Sequence, residues 1–86
     1  MDTLKERIEK LIAASLREGR ADLETLPNGR IVGHIIARDF EDRSFEDRRR
    51  MLWGVLNSHL TAHEKMQVST LLTYTPEEWD IPLRET

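Results

Sequence analysis

One stretch, residues 40–60, constrains the fold more than any other, because it combines a long amphipathic pattern with the chain's most concentrated positive charge. Ser44 is a favourable helix N-cap, and Asp47 three residues later complements the helix dipole. Apolar side chains then recur at helical spacing and predict one buried stripe, formed by Phe45, Leu52, Val55, Leu56 and Leu60. Three consecutive arginines, residues 48–50, lie on the same predicted helix.

The chain before this helix predicts a first helix and a hairpin. The helix covers residues 2–18, opens with a capping box of Thr3 and Glu6, and stops at Gly19. Residues 21–26 form a short acidic edge strand. Pro27-Asn28-Gly29 is a strong turn signal, because Asn-Gly supplies the positive φ angles of a tight hairpin, and residues 31–37 form the partner strand.

The chain after the long helix predicts three further elements. A short third helix covers residues 61–65, where Thr61 and Glu64 fit a second capping box. A strand rich in β-branched residues follows over 67–74. Thr75 and Pro76 then open a last helical turn, from which Trp79 is expected to fold back onto the body.

The order helix, strand, strand, helix, helix, strand predicts an α+β fold. A helical crossover joins the hairpin to the third strand, so the second and third strands should be parallel. The result is a two-layer sandwich with helices on one face of a three-stranded mixed sheet. We expect a single domain over residues 1–80 and a frayed tail over residues 81–86.

Composition excludes several classes of function. The 86 residues include no cysteine, which rules out a disulfide scaffold, a zinc ribbon and a thiol nucleophile. No apolar run reaches the roughly 20 residues of a membrane span, so the expectation is a cytoplasmic protein without a membrane partner. No Ser-His-Asp order, phosphate loop or dinucleotide glycine pattern appears, and no enzyme activity is expected.

The arginine run has two interpretations. In the structural one, Glu46 pairs with Arg50, and Arg48 lays its stem on the core and reaches a carboxylate at the strand ends. In the functional one, Arg48, Arg49 and Arg50 form a phosphate or partner-docking face, with Trp53 pointing outward beside them. The net charge of −3 means that any nucleic-acid affinity must come from such a local face.

Three histidines are candidate ligands. His59 falls inside the apolar stripe and is expected to be packed in the core, whereas His34 lies in mid-strand and His63 in the third helix. His59 and His63 have the four-residue spacing of a metal pair, but the Thr61 cap between them argues against one continuous helix.

Two blocks carry a family resemblance. Residues 39–53 read DFEDRSFEDRRRMLW, and residues 73–79 read TYTPEEW. With these motifs the chain resembles the short kind of BolA-like protein over residues 4–79. The resemblance implies a class II KH-like fold and a non-enzymatic role. Members pair with monothiol glutaredoxins, share a two-iron two-sulfur cluster with them, and serve iron–sulfur maturation or iron regulation. Some have been proposed to bind DNA and to act in the stress response.

The chain departs from the family at the residues that ligate the cluster. Gln67 stands where the family has its ligand histidine, and no histidine or cysteine occurs in the hairpin loop over residues 28–30. An amide is a poor iron ligand, so metal ligation would fall to His63 or His34 only if a cluster is shown to bind. The histidine of the family's arginine block is Arg49 here.

The first hypothesis is therefore a BolA-like adaptor that binds a monothiol glutaredoxin through the long helix and the edge of the last strand. The candidate partner or nucleic-acid face comprises Arg43, Arg48, Arg49, Arg50, Trp53 and Gln67.

The alternative is a KH-like nucleic-acid-binding regulator using residues 48–50, although no Gly-x-x-Gly loop is present. A third hypothesis is a scaffold that forms a weak homodimer through the edge strand of residues 21–26, instead of remaining a monomer.

Overall fold

The computed structural model describes residues 3–80 as one α+β unit. Its elements are α1 (Leu4–Ser15), β1 (Arg20–Thr25), β2 (Ile31–Ile36), a 3₁₀ turn (Arg38–Phe40), α2 (Phe45–His59), α3 (Ala62–Gln67), β3 (Val68–Tyr74) and α4 (Pro76–Asp80). The predicted helix start at residue 2 and the predicted tail over 81–86 lie outside the described residues. None of the helices within residues 3–80 is long and apolar enough to cross a membrane.

The sheet has the predicted mixed topology. Its strand order is β1-β2-β3, so β2 is central, with β1 antiparallel and β3 parallel to it. The register places Asp22 of β1 opposite His34 of β2, and His34 opposite Leu72 of β3. Among the described residues, β1 and β3 each have one edge without a neighbouring strand.

Local signals place most element starts correctly. The Thr3 hydroxyl accepts from the Glu6 N–H in a complete capping box, and Ser44 caps α2 by accepting from the Asp47 N–H at 3.1 Å. The predicted end of the first helix was wrong: α1 stops at Ser15, because Leu16 adopts an extended conformation and buries its side chain in the core.

The predicted hairpin turn forms, but only one of Asn28 and Gly29 has the expected positive φ. Gly29 adopts a φ of 86°, which glycine accepts without steric cost. Asn28 does not share the positive φ. Its side-chain oxygen instead accepts from the Arg30 N–H at 3.0 Å, while the Leu26 N–H donates to the Arg30 carbonyl at 2.7 Å.

One apolar core lies between the sheet and the helices α1 and α2. Its largest fully buried side chains come from both layers and from the 3₁₀ turn: Ile8, Ile12, Ile35, Phe40, Leu52 and Leu56. The predicted stripe was wrong at its first residue, since the Phe45 side chain is 63% exposed. Phe40 occupies the core five residues earlier, and Phe45 lies outside it in the first turn of α2.

The boundary between α3 and β3 also differs from the prediction. The third helix continues two residues further than expected and ends at Gln67, so β3 begins at Val68. The capping box of Thr61 and Glu64 is present as predicted. Gln67 is consequently the last residue of a helix and does not belong to the strand.

Candidate partner-binding site

A groove of about 300 Å³ separates the start of α2 from the free edge of β3, and we call it the α2–β3 groove. Its lining residues come from the first turns of α2 and from the middle of the strand: Phe45, Arg49, Trp53, Ser69, Thr70, Leu71, Leu72 and Thr73. Leu72 is 39% exposed, which with Phe45 gives the groove an accessible apolar surface. The groove thus combines aromatic side chains, one cation and an unpaired strand edge.

Two of the predicted arginines hold the structure together. Arg48 pairs with Glu78 of α4 through two hydrogen bonds of 2.8 and 3.2 Å, and its side chain is only 14% exposed. Arg43 donates from Nε to the Asp39 carbonyl at 2.9 Å, and its own carbonyl accepts from Arg48. The Arg48–Glu78 pair agrees with the structural interpretation in that Arg48 reaches a carboxylate, although Glu78 lies in α4 and not at the end of a strand.

Arg49 differs from its neighbours. Arg50 pairs with Asp47 at 3.3 Å, so the predicted pairing of Arg50 with Glu46 was wrong by one position. Arg49 is exposed and has no hydrogen-bond or ion-pair partner within residues 3–80. Of the three consecutive arginines, it is the one that lines the groove and has no counter-charge within residues 3–80.

Trp53 and Gln67 complete the predicted face, but they do not lie together. Trp53 was expected to point outward, yet it is half-buried, because it packs on the core as well as lining the α2–β3 groove. Gln67 lines a separate hollow formed with the start of α1 and the hairpin turn. The structure therefore brings Arg49 and Trp53 together and leaves Gln67 apart from them.

The histidines do not converge. His59 was predicted to be buried, which was wrong: it is exposed in the last turn of α2, where its Nδ1 lies 3.1 Å from the Val55 carbonyl oxygen. His63 is exposed on α3. Since α2 ends at His59 and α3 begins at Ala62, the two histidines are not on one helix.

His34 lies in a small aromatic cluster on the sheet. Its ring centroid is 5.5 Å from that of Tyr74 and 5.1 Å from that of Trp79. Trp79 reaches this cluster from α4, which agrees with the prediction that it folds back onto the body.

An iron–sulfur cluster of the usual family kind does not fit these residues. The position that the family resemblance assigns to the ligand histidine holds the amide of Gln67, and the chain has no cysteine thiolate to offer. Within the described part of the chain, no group of three His, Asp or Glu side chains is placed to hold a metal ion.

Sequence reasoning missed a second arginine centre, at Arg38. Its guanidinium donates to Glu41 at 2.6 Å, to Glu77 at 2.5 Å and to Glu18 at 3.2 Å. The hydrogen bonds to Glu18, Glu77 and Glu41 raise the pKa of Arg38 above its ordinary value. The chain gave no periodic signal for this centre, because its members are far apart in sequence.

The carboxylates of α4 are held in their charged form. The Arg48 guanidinium and the Thr75 N–H keep the pKa of Glu78 below its ordinary value, and Arg38 does the same for the pKa of Glu77. We call these two ion pairs, Arg48–Glu78 and Arg38–Glu77, the α4 clamp. It fixes the chain directly after β3.

One polar group in the groove lining has no partner. The Thr73 side chain is 8% exposed, and its hydroxyl oxygen makes no hydrogen bond within residues 3–80. A buried hydroxyl left unpaired costs about 1–3 kcal/mol. Because this oxygen is buried, the missing hydrogen bond is a cost to stability and not an accessible contact for a bound molecule.

Known structures share this architecture. A BolA homologue from Coxiella burnetii has a TM-score of 0.70 and 26% identity, over 94% of this chain and 100% of that one. BolA1 from Arabidopsis thaliana has a TM-score of 0.72 and 16% identity, over 95% and 100% of the two chains. No family model and no curated protein sequence matches the chain. With the element order, the mixed sheet and near-complete coverage of both structures, the chain resembles the BolA-like family in fold over nearly its whole length.

Proposed function

We propose that this BolA-like protein is a non-enzymatic adaptor that binds a monothiol glutaredoxin through the α2–β3 groove, in iron–sulfur maturation or the stress response. The observation that carries the proposal is the composition of the groove, where Phe45, Trp53 and the unpaired Arg49 lie beside an uncharged strand edge. Exposed aromatic and arginine side chains are the residue types that dominate the affinity of protein interfaces.

The adaptor would act without ligating a cluster in the family's usual way. Gln67 replaces the ligand histidine, and His63 lies one helical turn before it on α3. A glutaredoxin partner would therefore be recognised by surface contacts and not by a shared metal bond.

Anaerobic co-purification with a monothiol glutaredoxin, iron and sulfide, followed by a visible absorption spectrum, tests the proposal. We expect a stable complex whose absorption spectrum shows only the cluster bands of the glutaredoxin alone. With Gln67→His, we expect additional cluster bands to appear. Absence of any complex would refute the proposed partner. New bands in the natural protein that vanish in His63→Ala would refute our interpretation of Gln67.

The nucleic-acid alternative gains no support from the arginine face. Arg43, Arg48 and Arg50 already have acceptors within the protein, so they are poorly placed to neutralise phosphates. Tight binding to single-stranded nucleic acid that falls steeply with salt would reverse this assessment.

A further inference from the structure

β3 is an edge strand without the usual protection against pairing. Its seven residues, VSTLLTY, include no charged side chain and no proline. Its outer side has no neighbouring strand among the described residues. An edge of this kind presents a row of free N–H and C=O groups to any extended chain that approaches it.

The groove beside this edge has the dimensions and chemistry to receive side chains of such a chain. Alternate side chains of an extended segment point to the same face. One of them would meet the aromatic surface of Phe45 and Trp53, which line the groove together with Leu71. The 63% exposure of Phe45 leaves apolar surface to be covered there.

The positive charge of the groove indicates a second contact with the incoming chain. Arg49 lines the groove and has no counter-charge within residues 3–80, whereas Arg48 and Arg50 each have one. A carboxylate on the incoming chain would supply it.

We propose that an extended segment of the protein partner adds to β3 as a fourth strand, places an apolar side chain between Phe45 and Trp53, and pairs an Asp or Glu side chain with Arg49. This rests on the proposed function, whose binding site it shares, and it defines the chemistry of the segment that binds there. Backbone hydrogen bonds supply the affinity in this mode, and the side-chain contacts supply the specificity.

Two synthetic peptides test the segment chemistry directly. Both alternate Val and Thr over the length of β3 and carry one Phe; one also carries a Glu, and the other a Lys in its place. Binding is followed by NMR, with amide hydrogen exchange of residues 69–73 as the readout of strand addition. We expect the Glu peptide to slow exchange in β3 and to bind about tenfold more tightly than the Lys peptide.

Charge-reversal variants locate the carboxylate contact. Arg49→Glu should reverse the preference between the two peptides, whereas Arg50→Glu, one position further along α2 and already paired with Asp47, should leave it unchanged. Equal effects of the two variants would overturn the assignment to Arg49. Equal binding of both peptides would overturn the carboxylate contact. Either of two results would overturn strand addition: no change at residues 69–73 at millimolar peptide, or concentration-dependent protection of β3 without peptide. The last would identify a second copy of the chain as the occupant.

The same exchange experiment with the monothiol glutaredoxin separates this inference from the proposed function. Glutaredoxin binding with protection of residues 69–73 supports both. Glutaredoxin binding without that protection overturns strand addition and leaves the partner intact. Peptide binding without glutaredoxin binding overturns the partner and leaves strand addition intact.

Discussion

The two edges of the sheet are built differently. The outer strand β1 reads RADLET and exposes Arg20, Asp22 and Glu24, so a chain approaching that edge meets a charge at every second residue. β3 exposes Ser69, Thr70 and Leu72, none of them charged. Charged side chains on an edge strand disfavour pairing with another chain. The contrast indicates that β1 is protected and that β3 is the edge available to a partner.

This contrast bears on the homodimer hypothesis. Pairing two copies through β1 would bring the carboxylates of Asp22 and Glu24 close to their symmetry mates, and like charges directly opposite each other destabilise a strand pair. A dimer through β1 is therefore a weaker prediction than partner binding at β3. Sedimentation at increasing protein concentration, compared between the natural chain and a proline substitution in either strand, tests which edge associates.

The largest change in stability is expected from a substitution at Gly33 of β2, where β1 pairs with the sheet. Gly33 has a φ of 156°, and a Cβ placed on it would lie 2.2 Å from the Asp22 carbonyl oxygen. Gly33→Ala should therefore push β1 away and lower the free energy of unfolding by about 3 kcal/mol. Urea denaturation measures this change.

Gly54 provides the control for Gly33→Ala. It lies in α2, is exposed, and has no atom within 4 Å of the position of an added Cβ. Gly54→Ala should raise stability by about 0.5–1 kcal/mol, because alanine favours the helix. Similar losses in both variants would mean that the attachment of β1 does not depend on close backbone approach at Gly33.

A charged side chain on β3 should make this edge as unfavourable for strand pairing as β1. Thr70→Lys should weaken peptide or glutaredoxin binding about tenfold, because the ammonium group must lose water when a strand pairs there. The fold should persist, since Thr70 is exposed. The matched change on the other edge, Glu24→Lys, should leave binding unaltered. Calorimetric titration compares the two, and equal losses would contradict the assignment of binding to β3.

The sequence predicted structural features that depend on neighbouring residues, such as helix caps. It missed features that depend on residues far apart in the chain. The caps at Thr3, Ser44 and Thr61 were predictable because each joins atoms three residues apart. The exposure of Phe45 was not predictable, because helical spacing alone does not show that Phe40, five residues earlier, is the phenylalanine buried in the core.

The candidate site shows the same limit. A run of three arginines predicted a charged face, but which of them stays unpaired depends on Glu78, thirty residues further on. The Arg38 centre joins the 3₁₀ turn to the segment between α1 and β1 and to α4, through residues up to 39 positions apart, so no local pattern could reveal it. Periodicity determines which side of a helix is buried, but it does not specify ion pairs between elements.

The α4 clamp should make the end of β3 sensitive to acid. Because the folded-state pKa values of Glu77 and Glu78 are depressed, their stabilising contribution is present above the ordinary value of 4.5 and is lost as pH falls through the lower folded values. Trp79 fluorescence in a Trp53→Phe background should therefore change below about pH 4.5.

Removing one ion pair identifies the source of that acid step. Arg48→Met keeps most of the apolar stem on the core but removes the partner of Glu78, so the step should shrink and move to higher pH. Far-ultraviolet circular dichroism shows whether the whole protein unfolds in the same range. An unchanged fluorescence step in Arg48→Met would show that the clamp does not control α4.

The smallest effect is expected inside the groove, at Thr73. Thr73→Val replaces the unpaired hydroxyl with a methyl group of similar size, so it should raise the free energy of unfolding by about 1 kcal/mol. Thr70→Val, on the exposed face of the same strand, should change stability by less than about 0.5 kcal/mol. Because the Thr73 hydroxyl oxygen is buried, Thr73→Val should bind the peptides as tightly as the natural protein does. Weaker peptide binding in this variant would show instead that an added strand reaches the hydroxyl, and the difference between the two edges would then rest on more than charge.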